Sequence, residues 1–147
     1  MRIMALDVGE QRIGIAISDP SGIIAKPFTI ISCQGVMVDI QTIAKLTREQ
    51  EVSRIIVGLP LLPDGRQGTQ SEKVRQFTEK LADVLTVPLE LCDERFSTVT
   101  AREHRLESGV GKKKRRAPDD AVAAAVILQS YLDEAYAQGN LGYRPVL

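Results

Sequence analysis

The chain opens with short apolar runs separated by turn-forming residues. Ile3 to Asp7 is one such run, closed by Gly9, and Ile13-Gly14-Ile15-Ala16-Ile17-Ser18 follows after only a few polar residues. Two runs at that spacing predict a β-hairpin. Asp19-Pro20-Ser21-Gly22 is a further turn signal, and Ile23, Ile24, Phe28, Ile30 and Ile31 then supply a third strand region. The first part of the chain is therefore expected to be an antiparallel meander.

Near residue 36 the period changes. Val36, Ile40, Ile43 and Ala44 recur at helical spacing ahead of the polar stretch Thr47 to Glu51, which predicts an amphipathic helix. Arg54-Ile55-Ile56-Val57-Gly58-Leu59-Pro60 is a continuous run of the kind found in strands covered on both faces. A turn-rich loop from Leu61 to Gln70 leads into a second helix with Val74, Phe77, Leu81, Val84 and Leu85 on one face, and Val87 to Glu94 reads as another strand. Ser97 or Thr98 can cap a short helix through Leu106. A basic loop from Gly109 to Arg116 precedes an Ala-rich helix from Asp119 to Gln138, and Pro118 suits its start.

The expected fold is a mixed α/β sheet with helices packed on it: one domain over residues 1–138 and an irregular tail over 139–147. Periodicity does not give the strand order. At 147 residues and 44% apolar, the chain can bury one sizeable core and is too short for two ordinary domains. Lys and Arg number 19, as do Asp and Glu, so net charge neither favours nor excludes a nucleic-acid partner. Cys33 and Cys92 stand far apart in apolar surroundings and form no zinc motif, which fits reduced thiols. No signal peptide and no long apolar span is recognisable, so the protein is expected to be soluble and cytoplasmic, without a membrane partner.

Acidic residues stand where regular structure is expected to end. Asp7 closes the first strand, Glu94 the last, and Asp119-Asp120 open the last helix. Carboxylates from separate elements can converge on a hard cation such as Mg2+ or Mn2+ and leave positions for water and phosphate. Paired ions of this kind support phosphodiester cleavage. Each acid also has an ordinary role: Asp7 as a turn former, Glu94 as a partner of Arg95, Asp119 or Asp120 as an N-cap. Lys112-Lys113-Lys114-Arg115-Arg116 lies directly before the acidic pair. Such a run binds phosphate by counterion release without reading sequence. The chain has no Trp, which argues against a base-stacking platform. Gly111-Lys112 is followed by Lys113, so there is no P-loop, and His104 reads as a surface residue.

Several blocks together resemble the YqgF family, also called RuvX. They are Ala5-Leu6-Asp7-Val8-Gly9 with Arg12 to Asp19, Val57-Gly58-Leu59-Pro60, Asp93-Glu94-Arg95-Phe96-Ser97-Thr98, and Asp120-Ala121-Val122-Ala123-Ala124 through Ile127 to Leu132. The resemblance implies a ribonuclease H-like five-stranded mixed sheet flanked by helices and related to the junction resolvase RuvC. It also implies a metal-dependent nuclease that processes the 5′ end of precursor 16S ribosomal RNA. The family's acidic triad falls on Asp7, Glu94 and Asp120. Asp119 is a departure that can assist at the metal, and Arg12 and Arg95, inside the matched blocks, are expected to contact phosphate along with the basic run.

The alternative substrate is a four-way DNA junction, for which a symmetric homodimer rather than a monomer is expected. A non-catalytic nucleic-acid-binding role and a nucleotide-binding role are further readings. The latter rests on the likeness of the first hairpin to that of actin-like ATPases, which enclose nucleotide between two domains.

Overall fold

The computed structural model describes residues 1–60, 64–93 and 118–137. Among these, strands β1 (Arg2–Val8), β2 (Arg12–Ser18) and β3 (Ala25–Ser32) are followed by helix α1 (Val36–Glu49), strand β4 (Val52–Leu59), helix α2 (Thr69–Val84), strand β5 (Leu89–Asp93) and helix α3 (Pro118–Ala137). The sheet order is β3-β2-β1-β4-β5. The meander pairs antiparallel, and β4 and β5 add in parallel on the other side of β1. The expected mixed five-stranded sheet is present, and β1 lies at its centre.

Alternation along β1 sends side chains to two different cores. Met4 and Leu6 join Ile13, Ile15, Ile55 and Val57 under α1 and α2, where Ile40, Ile43, Val74 and Leu81 are buried. Ile3 and Ala5 face the other way, with Ala16 and Ile56, under Ala124, Ile127 and Leu128 of α3. Ala5, Ala16, Ala124 and Ala125 share this second core with Ile127, Leu128 and Leu132 of the helix.

Some apolar positions of the expected strands and helices are exposed. Ile23 and Ile24 precede β3 and are exposed, as is Phe28 within it. Their strand is the sheet edge, where Pro27 is tolerated because its missing N–H faces no further strand. Val36 and Val84 are also exposed, because each sits at a helix end beyond the reach of the sheet. Cys33 and Cys92 are free thiols, each half-buried. Burial, and then the carboxylate of Asp39, push the Cys33 thiol above its ordinary pKa. No helix among the described residues is long and apolar enough to cross a membrane. The expected helix from Ser97 or Thr98 and the tail over 139–147 lie outside the described residues.

Candidate active site at the upper sheet edge

Strands β1, β4 and β5 are parallel, so their C-terminal ends share one sheet edge. Asp7 stands at that edge, half-buried, on the α3 face with Ile3 and Ala5. Its partner across the hairpin is Gly14. On the other side, the register that pairs Leu6 with Val57 brings Gly58 one step further, and Gly58 pairs with Cys92. The carboxylate therefore stands on a strip of small residues, with no side chain rising from Gly14 or Gly58 to fill the space beside it. Gly9 closes the hairpin, its N–H donating to Arg12 O at 2.9 Å. A Cβ on Gly9 would meet that same oxygen at 2.9 Å, so the turn requires glycine there. Arg12 follows the turn, exposed, and by alternation shares the face of Gly14 and Asp7.

Helix α3 runs down this face away from the edge. Near its lower end Gln129 Oε1 accepts from Ala25 N–H at 2.9 Å, and its Nε2 donates to Ile23 O at 2.9 Å. Ala25 pairs with Ser18, whose Oγ accepts from Ile3 N–H at 2.9 Å, so Gln129 is level with the start of β1. Tyr131 OH donates to Glu90 Oε1 at 3.2 Å, the same oxygen that accepts from Arg54 at 2.9 Å. Arg54 pairs with Ile3 in the sheet and is buried.

From Ile3 to Asp7 the strand rises about 13 Å at roughly 3.3 Å per residue. From Gln129 and Tyr131 back to position 120 the helix rises about 14–16 Å at roughly 1.5 Å per residue. The first turn of α3 thus comes level with Asp7. Positions 120, 124, 127 and 131 form one row on the helix, whose described members Ala124 and Ile127 are buried against the sheet. Position 119 falls outside that row. Because α3 begins at Pro118, both acids lie inside its first turn rather than at an N-cap.

The side chains described in α3 begin at Ala121. Glu94, Arg95, His104 and Lys112 to Arg116 lie outside the described residues, with Glu94 next in the chain after the last residue of β5. Among the described residues no three His, Cys, Asp or Glu side chains cluster to hold a metal. Asp7 and the end of β5 lie at the same edge of the sheet, and α3 opens in Asp119-Asp120. The sequence carries no functional signal for Glu90, Gln129 or Tyr131, and Arg54 stands out only as a charge in an apolar run. The available signal was an arginine opening an otherwise apolar strand.

A cavity of about 600 Å3 lies on the opposite face, between the first hairpin turn, α1 and α2. Its rim carries Lys73 and Lys80 but also Glu10 and the buried Asp39, and Lys73 is paired with Glu10 at 3.6 Å. With both charge signs and no acid from the strand ends, it is a poorer centre for phosphodiester chemistry than the Asp7 edge.

Solved structures similar to this chain include *Thermus thermophilus* RuvC in complex with Holliday junction substrate, with a TM-score of 0.62, 16% identity, and coverage of 96% of this chain and 98% of that one. Fowlpox virus resolvase with Holliday junction DNA matches with a TM-score of 0.54 and 15% identity, over 91% and 98% of the respective chains. At such identities the likeness shows a ribonuclease H-like fold and nothing finer. Sequence relatives are nearer. A protein of Desulforamulus reducens named "Putative pre-16S rRNA nuclease" is 43% identical over 90% of this chain and 97% of its own. Relatives of the same name from Chloroflexus aurantiacus, at 44% over 94% and 90%, and Myxococcus xanthus, at 41% over 99% and 95%, also match. The profile of the RuvX family, described as Holliday junction resolvase, matches residues 1–134, and the chain belongs to that family.

Proposed function

We propose that this protein is a metal-dependent endonuclease that hydrolyses phosphodiester bonds in precursor 16S ribosomal RNA, at its 5′ end, during ribosome biogenesis in the cytoplasm. The observation that carries the reading is Asp7 at the sheet edge where β4 and β5 also end, paired with Gly14 and, one register step beyond the Leu6–Val57 pair, beside Gly58. Full-length relatives at 41–44% identity that bear a pre-16S rRNA nuclease name support the substrate.

The donor set fits a hard divalent cation, because carboxylate oxygens are the ligands Mg2+ and Mn2+ prefer. Asp7, Glu94 and Asp120 would hold it, with Asp119 beside them. Bound there, the metal supplies an activated water and charge stabilisation for the leaving oxygen. Asp7 approaches from the sheet floor, where Gly14 and Gly58 leave room for a phosphate. Arg12, on the same face, holds the phosphate backbone, and Arg95 with Lys112, Lys113, Lys114, Arg115 and Arg116 extends that grip along the strand.

The test is cleavage of a precursor 16S RNA fragment, a four-way DNA junction and plain duplex DNA with Mg2+ or Mn2+. Wild type should cut the RNA, and Asp7→Asn and Asp120→Asn should each lose at least about a hundredfold in rate, the scale of removing a group that stabilises transition-state charge. Preferential junction cutting would transfer the assignment to a resolvase, the reading that the family description favours. A folded wild type that binds RNA and cuts none of the three would leave a binding role.

A further inference from the structure

We infer that Gln129 and the Arg54–Glu90–Tyr131 cluster are positioning residues, which fix how far α3 sits along the sheet and so set the distance of its acidic first turn from Asp7. The inference rests on the carboxylate site proposed above.

The reason lies in what holds α3 down. Its contact with the sheet is mixed: Ala124 and Ala125 share a buried core with Ala5 and Ala16, and Ile127, Leu128 and Leu132 pack in the same core with Ile3 and Ile56. Where alanines face one another the surface has little relief, so the Ala124–Ala125 part of the helix adds little resistance to sliding. Directional hydrogen bonds add to the packing of Ile127, Leu128 and Leu132 in fixing the helix along the sheet, and they lie on both sides of it. On the β3 side both ends of the Gln129 amide engage backbone, the oxygen receiving Ala25 N–H and the nitrogen reaching Ile23 O, each at 2.9 Å. The same nitrogen also reaches Asp133 Oδ1 on the helix itself at 2.9 Å, which holds the amide in that orientation.

On the other side Tyr131 enters a charged cluster. The Arg54 side chain is only 4% exposed, and its guanidinium lies 2.9 Å from Glu90 on β5. Tyr131 OH reaches the same Glu90 oxygen at 3.2 Å. One carboxylate oxygen thus joins β4, β5 and α3. Position 120 lies about three turns before Tyr131 on the same side of the helix, so a shift at the lower end is carried as a rigid translation to the acidic turn. None of these residues is within reach of the Asp7 edge. Their influence on the site passes through the helix.

The experiment titrates Mn2+ against the full-length chain, reading free ion by its EPR signal, for wild type, Tyr131→Phe, Gln129→Ala, Asp7→Asn and Leu81→Ala. Leu81→Ala destabilises the opposite face without touching α3. Tyr131→Phe and Gln129→Ala, folded by circular dichroism, should bind Mn2+ about tenfold more weakly, the lower end of the effect of losing a group that orients ligands. Their cleavage rate should recover at saturating Mn2+. Leu81→Ala should bind Mn2+ as wild type does despite its lower stability. Unchanged affinity in both tether variants, or an equal loss in Leu81→Ala, would overturn the inference. If wild type and Asp7→Asn bind Mn2+ alike, it is the carboxylate metal site that fails, and the tethers' role there fails with it.

Discussion

The two faces of the sheet are held by different forces. Under α1 and α2 the contact consists of large branched and aromatic side chains, with Ile40, Ile43, Leu81 and Phe77 interlocking with Met4, Leu6, Ile15 and Ile55. Their shapes determine where the helices sit. Under α3 the core mixes Ala5, Ala16, Ala124 and Ala125 with Ile127, Leu128 and Leu132, and Gln129, Tyr131 and the buried Arg54 add directional hydrogen bonds. The α3 face also carries Asp7. Packing shape places the helices on both faces, and on the α3 face hydrogen bonds add a directional constraint on height, of the kind a constellation of carboxylates requires.

The sharpest way to break this contrast is to empty one face. Leu81→Ala should cost about 3 kcal/mol in urea unfolding, by lost transfer energy plus a residual cavity. The folded fraction should still cleave normally. A next, smaller effect comes from Glu90→Ala, which removes the carboxylate paired with the buried Arg54 guanidinium. We expect a cost of about 2 kcal/mol, below the value for a fully enclosed pair because Glu90 keeps part of its side chain in water. Here cleavage at limiting Mn2+ should fall out of proportion to the stability lost. A proportional fall would remove the distinction between the faces.

The smallest effect sits in the turn on which Gln129 docks. Asp19 accepts from Ile23 N–H and Ile24 N–H at 2.9 Å each, and from the Ser21 hydroxyl. The Ile24 bond first, then Ser21, lower its pKa from 3.8 to about 2. A depressed carboxylate pKa contributes stability that is fully present above the unfolded value and is lost as pH falls through the folded one. Wild type should therefore exceed Asp19→Asn in stability above pH 3.8, and the gap should close towards pH 2. A gap that persists at pH 2, measured by thermal unfolding, would show that the carboxylate charge is not what organises the turn.

Much of the fold was legible because it follows from local rules. The hairpin is written in Gly9 between two apolar runs, α1 in the spacing of Ile40, Ile43 and Ala44, and the start of α3 in Pro118. The burial of β4 on both faces followed from its unbroken apolar run. The exposure of Ile23, Ile24, Val36 and Val84 was not legible, because hydrophobicity does not say whether an element end or a sheet edge will find a cover. The acid at the end of β1 was legible for a similar reason, since a carboxylate that ends an apolar strand is conspicuous.

By itself, then, the sequence determined the elements, the acids at their ends and membership of a family, since periodicity and motif are properties of neighbouring residues. The tertiary structure alone decided the order β3-β2-β1-β4-β5, the placing of Gly14 and Gly58 on either side of Asp7, and the joining of Arg54, Glu90 and Tyr131. These depend on pairing between strands and on the height at which a helix settles. Arg54 and Tyr131 are far apart in the chain, and no local preference of either residue carries information about the other. Only packing α3 onto the sheet brings them within hydrogen-bonding distance.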